Sequence, residues 1–441
     1  MSKAQPNAPA LTSPAPAHEP AGMTPAAYLD AHADDLIELL RRLVRLPTVN
    51  PPGDHYDAIT RLLAAELKLA GLAVRRPRVP AALLRRHLPP EQWKHPRWNV
   101  LGRLAAPAPA RKTLHFNAHY DVVPVSGAWR HGSPFSGAVE DGWIYGRGTS
   151  DMKGSIASLL LALRALRATR TAPALNIEVS FTADEETDSA LGAGWVVEHG
   201  GLRPDYALVL EGGEGRVIGC GHNGVVWLEV VVHGRAAHGS TPTRGINALE
   251  HASRLVLALG DHARALATRS FTAPDGAVRR PTLNVGGVFG GGPGDKINTV
   301  PALARFSIDR RVLPTETAAA AERELRAFLA AASRALPGPR PRIEVRKVSE
   351  NHPCFAPPDH PFAAALAGHV ARERRCRPVF GCSTGFNDMH FFAHHLGVPT
   401  LGYGPGGEDY HAVDERASIR ELVASARIYA GLMTKSWPVA P

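Results

Sequence analysis

Disulfide bonding has little to build on in this sequence. Its 441 residues hold four cysteines. These are Cys220, Cys354, Cys376 and Cys382, and no two form a Cys-x-x-Cys pair. Such scatter suits reduced thiols in a cytoplasmic protein and argues against a disulfide-stapled scaffold. Aromatic residues are few, 6% of the chain, and none falls inside the basic clusters Arg75-Arg76-Arg78 and Arg85-Arg86. A nucleic-acid surface calls for that interleaving, so no nucleic-acid partner is expected. Long apolar runs are missing too: the longest, around Ile156 to Leu163, is too short to span a bilayer. No charged segment followed by an apolar one opens the chain, so neither a signal peptide nor a membrane partner is expected. What the chain has in excess is positive charge, 50 Lys and Arg against 41 Asp and Glu, a formal +9. Spread along the whole chain, it reads as a solvated basic surface that favours anionic substrates.

The length calls for two domains. Residues 1–22, rich in Pro and Ala, read as a disordered leader. Thr24-Pro25 then opens a helix that runs through Leu36, Leu39, Leu40 and Leu43 and stops before Pro47, and a second helix covers about Tyr56 to Ala70. Short apolar runs at Thr113 to Ala118, Leu175 to Thr182 and Tyr206 to Leu210 alternate with helical patterns such as Ile156, Leu159, Leu160, Leu163 and Leu166. That alternation predicts an α/β fold, a mainly parallel sheet with helices on both faces, built from residues 23–220 and 350–441. Between them, residues 221–349 read as strand, helix, strand, strand, helix, strand, an inserted α+β module.

His and carboxylate residues cluster where such a sheet would collect them. His119 and Asp121 follow the first strand, Glu185 and Glu186 the second, and Glu211 the third. Asp151 sits in the glycine-rich turn Gly146-Arg147-Gly148-Thr149-Ser150-Asp151-Met152-Lys153-Gly154, and His411 just past a second glycine-rich loop. The carboxyl ends of parallel strands share one edge, where ligands bind. Two histidines with several carboxylates and no thiolate make a ligand set suited to zinc, cobalt or manganese. Taken singly, each position has an ordinary reading: a capped turn for His119 and Asp121, a solvated loop for the paired glutamates, a helix N-cap for Asp151. Their joint arrival at one edge is what favours a metal site.

The strings His119-Tyr120-Asp121-Val122-Val123-Pro124, Gly146 to Gly154 and Asp184-Glu185-Glu186 resemble the family of acetylornithine deacetylase, succinyl-diaminopimelate desuccinylase, aminoacylase and carboxypeptidase G. The resemblance continues through Arg235-Ala236-Ala237-His238-Gly239-Ser240 with Asn247-Ala248, Gly286-Gly287, Asn298-Thr299-Val300-Pro301, Asp309-Arg310-Arg311, and Gly404-Pro405-Gly406 with His411 and Asp414-Glu415. It implies two zinc ions, with Asp151 bridging both, His119 and Glu211 completing one site, and Glu186 and His411 the other. Asp121 would accept a hydrogen bond from the far nitrogen of His119. Glu185 would be the general base. His238, in what the resemblance makes a lid and dimerisation domain, would reach the partner subunit's active site and donate to the developing oxyanion. Asn298 and Arg310, or Arg311 in its place, would bind the substrate's carboxylate or backbone, and Ser383 and Thr384 would line the pocket or form a plain turn. The segment Val79 to Trp98 reads either as a family-variable flap or as a surface excursion.

The expected activity is metal-dependent hydrolysis of a small N-acyl amino acid by a cytoplasmic homodimer. A dipeptidase or carboxypeptidase on the same scaffold is the alternative within enzymes. A non-catalytic metal- or anion-binding module is the alternative outside them, and Glu185 speaks against it, because a structural metal site needs no spare base.

Overall fold

A mainly parallel sheet covered on both faces is buried throughout, and four strands form the centre of the larger one. In the computed structural model, which describes residues 22–110, 112–435 and 437, these are Asn176–Thr182, Thr113–His119, Tyr206–Val209 and Thr400–Gly402, in that spatial order. All pair in parallel, and apart from Asn176 every residue in them is buried. The flanks are antiparallel: Val100–Leu104 lies beside Asn176–Thr182, with Ala73–Arg75 beyond it, and Val217–His222 lies beside Thr400–Gly402. Gly102-Arg103 breaks the apolar run in Val100–Leu104, which hides that strand from a reading based on hydrophobic runs. A separate four-stranded sheet joins Gly407–Glu408, Arg416–Ser418, Trp143–Tyr145 and Ala138–Glu140, in that order.

The helix Gly154–Ala168 is buried along almost its whole length and packs against Ile419–Thr434, where Ser158 Oγ donates to the Leu422 carbonyl at 2.9 Å. At the other end Thr24 caps Pro25–Ala31 as expected, but the helix does not continue. His32 leaves helical geometry, its Nδ1 lies 2.9 Å from the Tyr28 carbonyl, and a new helix, Ala33–Val44, starts after it. The expected leader, residues 1–22, lies outside the described residues except for Gly22. Among the described residues no helix is long and apolar enough to cross a membrane.

The chain forms two compact units. One runs to Cys220 and resumes over Ala356–Phe380 and from Asn387; the other comprises Gly221–Phe355 and Gly381–Phe386. The second is built on an antiparallel sheet ordered Thr282–Gly291, Leu303–Val312, Gly224–His233, Arg342–Asn351. Successive strand residues point to opposite faces. Val226, Leu228, Val230 and Val232 therefore share one face, and they form a single core with Leu255 and Leu259 of the helix Ala248–Leu266 and Leu325 and Leu329 of Ala318–Arg334.

Candidate metal centre

Three parallel, adjacent strands carry acids and a histidine to one edge. His119 is the last residue of Thr113–His119, the turn Glu185–Thr187 follows Asn176–Thr182, and Glu211 lies just past Tyr206–Val209. Asp151 and His411 arrive differently. Asp151 follows Trp143–Tyr145, and His411 lies in the loop between Gly407–Glu408 and Arg416–Ser418; Arg416 pairs with both Tyr145 and Glu408. That small sheet brings the two loops side by side.

The Asp151 loop is held by a buried carboxylate. Glu415, with no exposed surface, accepts from Arg147 Nη1 at 2.6 Å and from the backbone N–H groups of Gly148, Ser150 and Asp151 at 3.0, 2.9 and 3.1 Å. Gly148 makes the turn possible: its φ is +86°, and a Cβ there would lie 2.6 Å from Val122 Cγ1. Asp151 does not cap the following helix, whose N-cap position is Lys153. Its side chain is left for the site.

There the carboxylate of Asp151 meets both histidines. His119 Nε2 is 3.0 Å from Oδ1, and His411 Nε2 is 3.0 Å from Oδ2 and 3.2 Å from Glu186 Oε2. Two groups could each hold a cation, His119 with Asp151 and Glu211, and Asp151 with Glu186 and His411; within each, the ligand atoms lie within 4.8 Å of one another. Glu185 belongs to neither, with Oε2 4.0 Å from His119 Nε2.

The electrostatics show what this cluster requires. Burial pushes Glu211 up to about 8, and the Asp151, Glu186 and Asp388 carboxylates add to the rise while His119 opposes it. Glu185 is also raised well above the usual range, by burial first and then by Glu211, Asp388 and Glu186. Hydrogen bonds to the Asp151 and Glu186 carboxylates lift His411 to about 10. Burial alone would lower His119, but Asp121, Asp151 and Glu185 together raise it well above its ordinary value. Packing so many carboxylates out of water is costly unless positive charge joins them. Glu211 Oε2 is moreover buried with no hydrogen-bond donor. An orphan carboxylate oxygen facing a nitrogen and oxygen donor set without thiolate fits a pair of divalent cations.

The sequence pattern of peptidase family M20/M25/M40 matches residues 115–435. The chain belongs to that family. It is 30% identical over 412 residues to the succinyl-diaminopimelate desuccinylase of Paracoccus denitrificans, covering 91% of this chain and 98% of that one. Its fold is similar to that of the M20 family metallo-carboxypeptidase Sso-CP2 from Sulfolobus solfataricus, with a TM-score of 0.70 at 19% identity over 91% of this chain and 99% of the other. It is similar again to the dipeptidase Dug1p from Saccharomyces cerevisiae, with a TM-score of 0.68 at 16% identity over 93% and 97%. Membership of the M20 family together with desuccinylase relatives makes the chain a metal-dependent hydrolase of amide bonds. The binding-module reading is set aside.

Some of the expected M20 residues are placed differently from the expectation. The resemblance assigns the Asp121 carboxylate to the far nitrogen of His119; Nδ1 lies 3.5 Å from that carboxylate and 3.1 Å from the Asp121 backbone carbonyl. That carboxylate accepts from the backbone N–H of Glu185 and of Glu186, both at 3.2 Å, and from Asn50 Nδ2 at 3.0 Å. It therefore holds the paired glutamates as well as facing the histidine. Arg310, expected as a substrate fork, is fully buried, and its Nη2 is held by both oxygens of Glu316 at 2.8 and 3.1 Å. In an alternating strand it shares the inner face with Phe306 and Ile308, whereas Arg311 points outward and pairs with Asp309 at 3.0 Å. Ser383 and Thr384 are exposed, and Ser383 Oγ accepts from Gly385 N at 3.1 Å, which is turn geometry. Asn298 and His238 are exposed on the second unit, where Gly239 N donates to the Asn298 carbonyl at 2.7 Å.

Sequence reasoning missed three buried groups near the M20 ligands. Asp388, held at about 6 mainly by burial, is reached by the hydroxyls of Ser189 and Thr182. Glu415 belongs to the Asp414-Glu415 pair, to which the resemblance assigns no role. Arg97 is fully buried against Asp184, so the segment Val79 to Trp98 ends in the interior. Neither a flap nor a surface excursion describes it fully.

Proposed function

We propose that the protein removes an acyl group, of the succinyl type, from a small N-acyl amino acid in the cytoplasm, using two zinc ions held per chain. Cobalt or manganese would suit the same ligands. The observation that carries this reading is that two ligand groups share one carboxylate, Asp151, while Glu185 stands beside them and joins neither. Asp151 would serve both ions, His119 and Glu211 would complete one site, and Glu186 and His411 the other. Divalent cations held there would supply Lewis acidity toward a water molecule and the amide carbonyl. Glu185 takes the proton of the attacking water and returns it to the leaving amine. Asp121 fixes His119 through Nδ1 and keeps the Glu185-Glu186 turn in register.

His238 supplies a donor for the developing oxyanion. Its Nδ1 accepts from Ser240 N at 3.2 Å, so the neutral ring carries its proton on Nε2. A homodimer through the second unit delivers that group. Support comes from Leu249 and Leu257 on the helix Ala248–Leu266, 59% and 73% exposed, and from Phe289 on the edge strand, 79% exposed. All three line an apolar cavity of about 560 Å³. Mixing inactive His238→Ala chains with inactive Glu185→Gln chains is expected to restore part of the activity through heterodimers. No recovery contradicts the shared site.

The substrate class is tested with zinc-reconstituted enzyme on N-succinyl amino acids, N-acetyl amino acids and dipeptides. The N-succinyl series is expected to have the highest kcat/KM, and Arg311→Ala to raise KM for it by roughly 10-fold or more, the loss of a charge-assisted hydrogen-bonded fork. Dipeptides as the best substrates would favour the peptidase alternative, for which the similarity in fold to a dipeptidase and a carboxypeptidase speaks.

A further inference from the structure

We propose that Arg97 is a positioning residue, whose guanidinium clamps Asp184 and thereby aims Glu185 and Glu186 at the reacting atoms. The proposal rests on the reading of Glu185 as general base. Arg97 has no exposed surface, and each of its three nitrogens is used. Nε donates to Asp184 Oδ2 at 2.7 Å and Oδ1 at 3.0 Å. Nη1 donates to the carbonyls of Pro52 and His95, both at 2.8 Å, and Nη2 reaches Gln92 Oε1 at 3.3 Å and Asn50 Oδ1 at 3.5 Å. One planar fork thus ties two separate stretches of chain, Asn50 with Pro52 and Gln92 with His95, to the carboxylate that immediately precedes the paired glutamates.

Asp184 passes that order on. Its φ is +63°, a left-handed conformation that a non-glycine residue holds only when its surroundings impose it. Its carbonyl accepts from the backbone N–H of Thr187, Asp188 and Ser189 at 3.2, 3.2 and 2.8 Å, closing the turn that presents Glu185 and Glu186. Its carboxylate also accepts from Tyr56 Oη at 3.0 Å and Asn50 Nδ2 at 3.1 Å. The same Asn50 amide reaches Asp121, whose carboxylate takes the N–H groups of both glutamates. The two glutamates therefore hang between two buried carboxylates, and Arg97 is the counter-charge to Asp184. Without it Asp184 would face Asp121 with its charge unmatched, and the turn would relax. A displacement of about 1 Å at a catalytic group commonly costs about 100-fold in rate.

The test compares Arg97→Lys with the double variant Arg97→Met/Asp184→Asn, which removes both charges and so leaves no unpaired ion in the interior. Thermal midpoint, metal content, kcat and KM are measured on each. In the double variant kcat is expected to fall about 100-fold, with KM within about threefold and the metals retained, the pattern of a lost transition-state interaction. Arg97→Lys keeps the charge but not the fork, and its kcat is expected to stay at least 10-fold low. Wild-type kcat in either folded variant overturns the proposal, as does a fall that tracks loss of metal. Failure of both variants to fold assigns Arg97 to folding alone and overturns it equally. Glu185→Gln is run alongside: wild-type activity there would overturn the general-base reading, whatever the Arg97 variants do.

Discussion

Glu185→Gln is expected to lower kcat by about 100- to 10,000-fold while metal content stays at the wild-type level, the range that removal of a positioned general base produces. The substitution keeps the shape of the side chain and the backbone N–H that Asp121 holds at 3.2 Å. It removes only the ability to take a proton. Glu185 stands outside both ligand groups, so its loss should leave the cations in place. Burial and the neighbouring Glu211, Asp388 and Glu186 raise its proton affinity well above that of an ordinary glutamate, which is what a base at near-neutral pH needs. Parallel measurement of kcat and of bound metal separates the roles. Metal lost together with rate would make Glu185 a ligand, and full activity would remove it from the reaction.

Asp151→Asn has the larger reach, because one side chain serves both groups: activity is expected to fall to background and both cations to be lost. Asparagine offers one oxygen where Asp151 turns Oδ1 toward His119 and Oδ2 toward His411. Its amide hydrogens would face one of those imidazoles. Glu211→Gln touches a single group and is expected to release one cation. Protons compete for the same atoms in the metal-free protein. Burial raises Glu211 to about 8, and the hydrogen bonds of Asp151 and Glu186 raise His411 to about 10. Both groups are protonated below those values, and a protonated imidazole cannot ligate. Metal uptake should therefore release protons and tighten as pH rises through this range. An affinity that weakened with rising pH would contradict the ligand assignment.

Much of this was legible because the central strands carry an apolar residue at every second position, Leu114, Phe116 and Ala118 in one and Ile177, Val179 and Phe181 in the next. Thr113–His119 and Asn176–Thr182 announce themselves, and the residues just past them then fall at one edge. The small sheet that sets His411 beside Asp151 was not legible. Its strands are two or three residues long, too short for any periodicity. The alternation in Leu303–Val312 is itself a signal: Ala304, Phe306 and Ile308 point inward, which puts Arg310 inside and Arg311 outside. Arg97 carried no such signal. In a chain with arginine spread throughout, a buried guanidinium looks like a surface one until Asp184 is seen against it.

The decisive measurement is the metal content of the folded, dialysed protein after reconstitution with zinc, read by elemental analysis against protein concentration. Two ions per wild-type chain are expected, with neither retained by Asp151→Asn. A single ion in the wild type, or two that survive that substitution, would mean that the carboxylate of Asp151 does not join two metal sites.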